Sequence, residues 1–196
     1  APAITSTADT TAVVAGLYTY DVNAIGTPAP TFSFLVKPTG MAINEITGFI
    51  SWTPSAVGTA NVTVQATNGI IPNATQSYTI TIAANQPPTA TITAPRDGAT
   101  VSGSTAEFYG DGVDDVNCVR AEFYVDGVLI YNDINSGDHF HVGGTHQLWN
   151  TTTITNGSHQ LRMRVFDTAG LSGDAQITVT VVNSGGSNGS EGSLGG

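Results

Sequence analysis

Apolar and polar residues alternate one by one along most of this chain. In Ala60–Thr67 the order Ala-Asn-Val-Thr-Val-Gln-Ala-Thr puts Val62, Val64 and Ala66 on one face and Asn61, Thr63 and Gln65 on the other. Gln76–Ala83 repeats the pattern with Tyr78, Ile80 and Ile82. Successive side chains of an extended strand point to opposite faces, so a period of two marks a strand with one side on a core and the other in water. An amphipathic helix needs apolar residues at i, i+3, i+4 and i+7, and no segment holds that spacing for more than a turn. Gly, Pro and Asn clusters separate the alternating runs at short intervals, as in hairpin-rich sandwiches. The chain is therefore expected to be all-β.

The pattern closes twice. A run ending Thr-Ile-Thr-Ile-Ala-Ala at residue 84 is followed by Asn-Gln-Pro-Pro, and a second series ends in Ile-Thr-Val-Thr-Val-Val at residue 182. Two closing strands of like character predict two tandem sandwiches, residues 1–84 and 89–183, joined by a linker at 85–88. Proline fixes its own φ and restricts the residue before it, so Pro87-Pro88 predicts a stiff junction. Residues 184–196, Ser-Gly-Gly-Ser-Asn-Gly-Ser-Glu-Gly-Ser-Leu-Gly-Gly, have the composition of a flexible connector.

Composition narrows the partners. Only 10% of the residues are charged, against ~25% in an ordinary globular chain. The net charge is −10, with five basic residues against fifteen acidic ones, which argues against nucleic acid and against an anionic membrane surface. No apolar run approaches the ~20 residues of a membrane-spanning helix, so membrane insertion is not expected. The first residue is Ala rather than Met, and we read the chain as a mature product or an excised fragment. The one cysteine, Cys118, excludes an intrachain disulfide and reads as a small core residue.

Residues 3–84 resemble a bacterial Ig-like module of the dystroglycan, cadherin-like type. The resemblance rests on Gly16-Leu-Tyr-Thr-Tyr-Asp-Val, Pro28-Ala-Pro-Thr-Phe-Ser-Phe, Gly40-Met-Ala-Ile-Asn, Thr47-Gly-Phe-Ile-Ser-Trp-Thr-Pro and Asn61-Val-Thr-Val-Gln-Ala-Thr-Asn. It makes Trp52 a core aromatic. The acidic motifs with which true cadherin repeats bind calcium read Ser51-Trp-Thr-Pro and Ala66-Thr-Asn-Gly here, so calcium is not expected at this module. Residues 87–182 resemble a second bacterial Ig-like family found in secreted enzymes and surface proteins. Its carriers are Pro87-Pro-Thr-Ala-Thr-Ile-Thr-Ala-Pro, Asp97-Gly-Ala-Thr-Val-Ser-Gly, Val119-Arg-Ala-Glu-Phe-Tyr-Val-Asp-Gly, Asn156-Gly-Ser-His-Gln-Leu and Val165-Phe-Asp-Thr-Ala-Gly. Both resemblances imply immunoglobulin-like sandwiches that act as spacers or attachment modules rather than catalysts.

The segment Asn135–Leu148 departs from that pattern. It holds His139, His141 and His146, three of the chain's four histidines. If Gly143-Gly144 forms a two-residue hairpin turn, His141 faces His146 and His139 shares their side, with Phe140, Val142 and Trp149 toward the core. Three imidazoles on one outward face make a candidate Zn²⁺ or Cu²⁺ site. The alternative is a solvated hairpin surface. Asp111, Asp114, Asp115 and Asn117 lie within seven residues and form the candidate calcium loop, without the spacing of an EF-hand. Its alternative is a solvated turn. Neither site firmly implies a cofactor. Glu107 and Glu122 both sit in strand-like runs, which favours a structural role over glycosidase chemistry.

The sequence thus points to a non-catalytic extracellular or cell-surface module serving spacing, display or adhesion. Its expected partners are proteins, through self-association as a fibre or surface-layer subunit or through neighbouring domains. The alternative is a glycan-binding accessory module of a secreted enzyme, which needs an exposed platform drawn from Tyr109, Tyr124, Tyr131 and Trp149.

Overall fold

The computed structural model describes residues 1–135, 137–144 and 148–184. Two compact units, Ala1–Gln86 and Pro87–Gly196, each carry their own core. The fold is all-β, and among the described residues one 3₁₀ turn at Thr151–Thr153 is the only helical piece.

The first unit has nine strands: β1 (Ala3–Ile4), β2 (Thr11–Val13), β3 (Tyr18–Asp21), β4 (Ala24–Ile25), β5 (Thr31–Val36), β6 (Ala42–Ile43), β7 (Phe49–Trp52), β8 (Gly58–Thr67) and β9 (Ala74–Ala83). They form a four-stranded sheet β2-β9-β8-β5, a three-stranded sheet β3-β7-β6 and the short ribbon β1-β4. The alternation read in the sequence is what buries Val62, Val64 and Ala66 on β8 and Ile80 on β9. They meet Tyr18, Tyr20, Ile50 and Trp52 from the other sheet. Trp52 is buried, packs edge-to-face on Tyr18 and donates its indole N–H to the Thr39 carbonyl at 3.1 Å. Gly48 closes the β6–β7 hairpin at φ +80°, where a Cβ would collide with the Val22 carbonyl.

Among the described residues the second unit has eight strands: β10 (Thr89–Ala94), β11 (Thr100–Val101), β12 (Tyr109–Val113), β13 (Cys118–Val125), β14 (Val128–Asp133), β15 (His139–His141), β16 (Gly157–Asp167) and β17 (Ser172–Val181). A five-stranded sheet runs β11-β17-β16-β13-β14 and a three-stranded sheet runs β10-β12-β15. Phe108, Phe123, Phe140, Trp149, Leu161, Met163 and Val165 fill the core. Phe108 lies edge-on to Phe123 with ring centroids 4.9 Å apart, a favoured arrangement of the two ring quadrupoles. Asp126 and Gly127 turn β13 into β14 with φ of 49° and 79°, the backbone of a type I′ hairpin turn. Cys118 is buried in this core.

Candidate functional site

The densest cluster of ionisable side chains singled out in the sequence forms on the β10-β12-β15 sheet. Here β12 pairs antiparallel with β15, so Tyr109 faces His141 and Asp111 faces His139. A period of two then places Tyr109, Asp111, His139 and His141 on one side, with Phe140 fully buried on the other. The His139 and His141 rings lie 4.4 Å apart edge-to-face, and Tyr109 stacks on His141 at 4.9 Å. His139 Nδ1–H donates to Asp111 Oδ1 at 2.5 Å, and the Thr93 hydroxyl on β10 donates to Asp111 Oδ2 at 2.6 Å. Burial pushes the Asp111 carboxyl up, but the bonds from Thr93 and His139 outweigh it and hold the group below the usual carboxylate range.

Two expectations need correction. The sequence reading placed His141 outward, whereas it is only 8% exposed. Tyr109 covers one ring face and His139 abuts the ring, and its backbone N–H donates to the buried Asp133 carboxylate at 2.9 Å. The turn expected at Gly143-Gly144 is centred one residue earlier, on Val142 and Gly143. The His141 carbonyl accepts from the Gly144 N–H at 3.2 Å, so the chain turns directly after β15. The described strand that β15 pairs with is β12, in the register Tyr109–His141, Gly110–Phe140 and Asp111–His139. His146, with Thr145 and Gln147, lies outside the described residues.

The acidic loop divides. Asp111 is drawn to His139 and Thr93. Asp114 Oδ2 accepts the Val116 N–H at 3.1 Å, and burial with the neighbouring Asp115 and Asp167 charges pushes the Asp114 carboxyl up. Asp115 and Asn117 are exposed. Among the described residues no group of three or more His, Cys, Asp or Glu side chains is arranged to hold a metal ion.

The geometry also bears on catalysis. In a nucleophilic triad the hydroxyl must touch the imidazole that takes its proton. Here the Asp111 carboxylate sits between the Thr93 hydroxyl and His139, so that relay is not built. Burial pushes the Cys118 thiol up to about 11, with Asp114, Asp138 and Asp167 adding to the shift, which leaves it a thiol rather than a nucleophilic thiolate. Glu122 accepts from the Arg120 guanidinium and the Tyr124 hydroxyl, while Glu107 is exposed. Trp149 is buried, Tyr109 stacks on His141 and Tyr131 packs against the core. The Arg162 guanidinium covers Tyr124 at 3.9 Å from the ring centre.

Sequence reasoning missed two constellations. The first is on the outward face of β13, β16 and β17, which carries three of the chain's five cations. Arg120 lies 3.4 Å over the Phe166 ring, and Arg164 grips Asp174 with two hydrogen bonds at 2.8 and 3.0 Å. The cross-strand register that joins them was not legible from spacing alone. The second is His159, buried on β16. Its Nδ1–H donates to Asp126 Oδ2 at 2.6 Å and its Nε2–H to the Thr155 carbonyl at 2.8 Å. Both partners are acceptors, so both bonds are made together only by the protonated ring. The Asp126 hydrogen bond accordingly raises the His159 pKa, opposed by burial. The Gln160 backbone N–H and then His159 lower that of Asp126.

With this geometry in place, comparison with known proteins gives two family matches. Residues 1–83 match the family described as "Putative Ig domain", and residues 88–163 match "Bacterial Ig domain". Among solved structures, Sidekick-1 immunoglobulin domains 1–5 align over 93% of this chain and 39% of that one, at 12% identity and a TM-score of 0.57. A chimeric titin Z1Z2 carrying an exogenous decorin peptide aligns over 92% and 96%, at 14% identity and a TM-score of 0.55. Fibronectin(III)-like modules of Clostridium thermocellum CbhA align over 93% and 95%, at 16% identity and a TM-score of 0.42. No curated protein matches the chain. At these identities the structural likeness speaks for the fold alone. The chain is a tandem of two immunoglobulin-like modules, one of the "Putative Ig domain" family followed by a bacterial Ig domain.

Proposed function

We propose that this tandem is a non-catalytic structural module of a bacterial surface or secreted protein, serving spacing, display or adhesion outside the cell. The observation that carries the reading is how the polar side chains are spent. His159 ties the β13–β14 turn to β16, Arg120, Glu122 and Tyr124 brace one another along β13, Arg164 bridges to β17, and Asp111 joins β10 to β15. These groups hold strands to strands. Two separate cores, each closed by its own sheets, suit a bead in an extended array. Low charge and many Thr residues suit an extracellular sandwich, and proteins are the expected partners, including further copies of the chain.

The test is a parallel screen for binding and turnover. Soluble glycans and hydrolase substrates should leave the melting temperature unchanged and give no product. Saturable binding of one glycan would replace this reading with that of an enzyme's accessory module. A second reading, Zn²⁺ or Cu²⁺ held by His139 and His141 with His146, is favoured by the close approach of the two described imidazoles. Titrating Zn²⁺ into the wild type and His141→Ala decides it, since equal, very weak binding in both ends that reading. A calcium titration that leaves the melting temperature unchanged reduces Asp111, Asp114, Asp115 and Asn117 to structural residues.

A further inference from the structure

The chain holds three Asn-Gly pairs, and the fold treats Asn68-Gly69 and Asn156-Gly157 in opposite ways. The third, Asn188-Gly189, lies outside the described residues. An asparagine followed by glycine carries a latent reaction, because the next backbone nitrogen can reach the side-chain carbonyl carbon and glycine has no Cβ to block the approach. Asn156-Gly157 is closed to it. The Thr178, Thr180 and Val182 N–H groups point away from β16, to Asp97, Ala99 and Val101, so Val181 exchanges both ladder bonds with Gly157 opposite it. The Gly157 nitrogen is therefore held in the sheet. The Asn156 amide is held as well, its Oδ1 accepting the Asn183 N–H at 2.7 Å and its Nδ2 donating to the Asn183 carbonyl at 3.2 Å. Asn68-Gly69 is open. The strand β8 ends at Thr67 and its last pair with β9 is Ala66–Ala74, so Gly69 stands exposed beyond the ladder, in the β8–β9 loop. There the Asn68 Oδ1 accepts the Ile70 N–H at 3.2 Å, and its Nδ2 donates to the Pro28 carbonyl at 2.8 Å.

We propose that Asn68 is a site of spontaneous covalent modification, at which the Gly69 backbone nitrogen displaces the side-chain amide and water completes the conversion to aspartate or isoaspartate. The bond from Gly69 N to Asn68 Cγ forms and the Gly69 amide proton passes to water. The Cγ–Nδ2 bond breaks, and the departing nitrogen takes up a proton and leaves as ammonia. Water then opens the cyclic imide. Addition at Cγ gives aspartate, and addition at the Asn68 backbone carbonyl carbon gives isoaspartate, with the chain rerouted through the side chain. Water is the only co-reactant. The Ile70 N–H on Oδ1 is placed to stabilise the negative charge that gathers on that oxygen as Gly69 attacks. The product loses one contact. A carboxylate has no N–H to give the Pro28 carbonyl, so the tie from the β8–β9 loop to the β4–β5 loop becomes a repulsion between two oxygens. The site is close-packed, since a Cβ on Gly26 would lie 2.8 Å from Asn68 Nδ2. Each event also adds one negative charge to a chain that carries −10.

The experiment ages the full chain in warm, mildly alkaline buffer and follows each Asn-Gly pair separately. Trypsin places the three in different peptides, 1–96, 121–162 and 165–196, because Lys37 precedes a proline and every later cleavage point is an arginine. Mass spectrometry with fragmentation should show the acid at residue 68 at least about tenfold sooner than at residue 156, since Asn156 and Gly157 must first give up their hydrogen bonds. In urea the two should convert at like rates, because unfolding removes what protects Asn156. In Asn68→Gln, whose longer side chain closes a larger ring far more slowly, the peptide 1–96 should keep its mass. Asn68→Asp supplies the product directly, and its first unit should melt earlier than in the wild type while the second stays in place. If that variant fails to fold, aged wild-type chain separated by its added charge takes its place in the melt. Equal conversion at residues 68 and 156 in the folded chain overturns the site. A product chain that melts as the wild type does overturns the lost tie to Pro28.

Discussion

His159 shows how much one side chain can decide in a chain with so few charges. It is buried, yet it donates from both ring nitrogens, and the protonated form is the one the fold prefers. The sign of the pH dependence follows. A raised histidine pKa gives stability that is fully present below the unfolded value of 6.5 and lost as pH rises through the folded value. The lowered Asp126 pKa gives stability present above the unfolded value of 3.8 and lost as pH falls through the folded one. The pair therefore supports the second unit best in the mildly acidic range between them. Asp126 is half-exposed, so solvent screening limits the effect to about 1 kcal/mol or less. Thermal melts of the wild type should lose stability from pH 6 to pH 9 by that amount, and His159→Gln should flatten the slope. An unchanged slope in the variant would sink the assignment. The sequence showed His159 only as a histidine outside the cluster, because its partner is 33 residues away and meets it through the β13–β16 register.

At the scale of the element, the hairpin β13–β14 is the clearest case of local chemistry setting structure. Asp-Gly between two apolar runs is the pattern of a type I′ turn, and the backbone adopts positive φ at both positions. Gly127 sits at φ +79°, where a Cβ meets no neighbouring atom. The cost of Gly127→Ala is then conformational rather than steric crowding, about 1 kcal/mol. Urea unfolding followed by far-UV circular dichroism should show that loss with an unchanged m-value. The strand β15 is the contrasting case. Its Gly143-Gly144 also looks like a hairpin signal, but β15 pairs backward with β12, and Tyr109 and Asp111 claim the two histidines. A glycine pair permits a turn without choosing the partner strand. Tertiary burial of Phe140 beneath the sheet made that choice.

Across the whole molecule, two cores with no shared residues predict separable responses to core damage. Phe123→Ala empties the centre of the second core and should cost about 3–5 kcal/mol, and Ile80→Ala in the first about 2–5 kcal/mol. Differential scanning calorimetry should move one transition in each variant and leave the other in place. A joint shift of both transitions would contradict two independent cores. The sequence by itself determined the fold class, because a period of two is a local property that every strand displays in its own residues. It also determined which faces are buried, down to Val62, Val64 and Ile80. Only the tertiary structure decided which strands are neighbours. That pairing joined Asp111 of the supposed calcium loop to His139 of the supposed metal hairpin, buried His141, and matched His159 with Asp126. The physical reason is that strand alternation fixes the direction of a side chain, whereas its partner is set by a register between segments far apart in the chain.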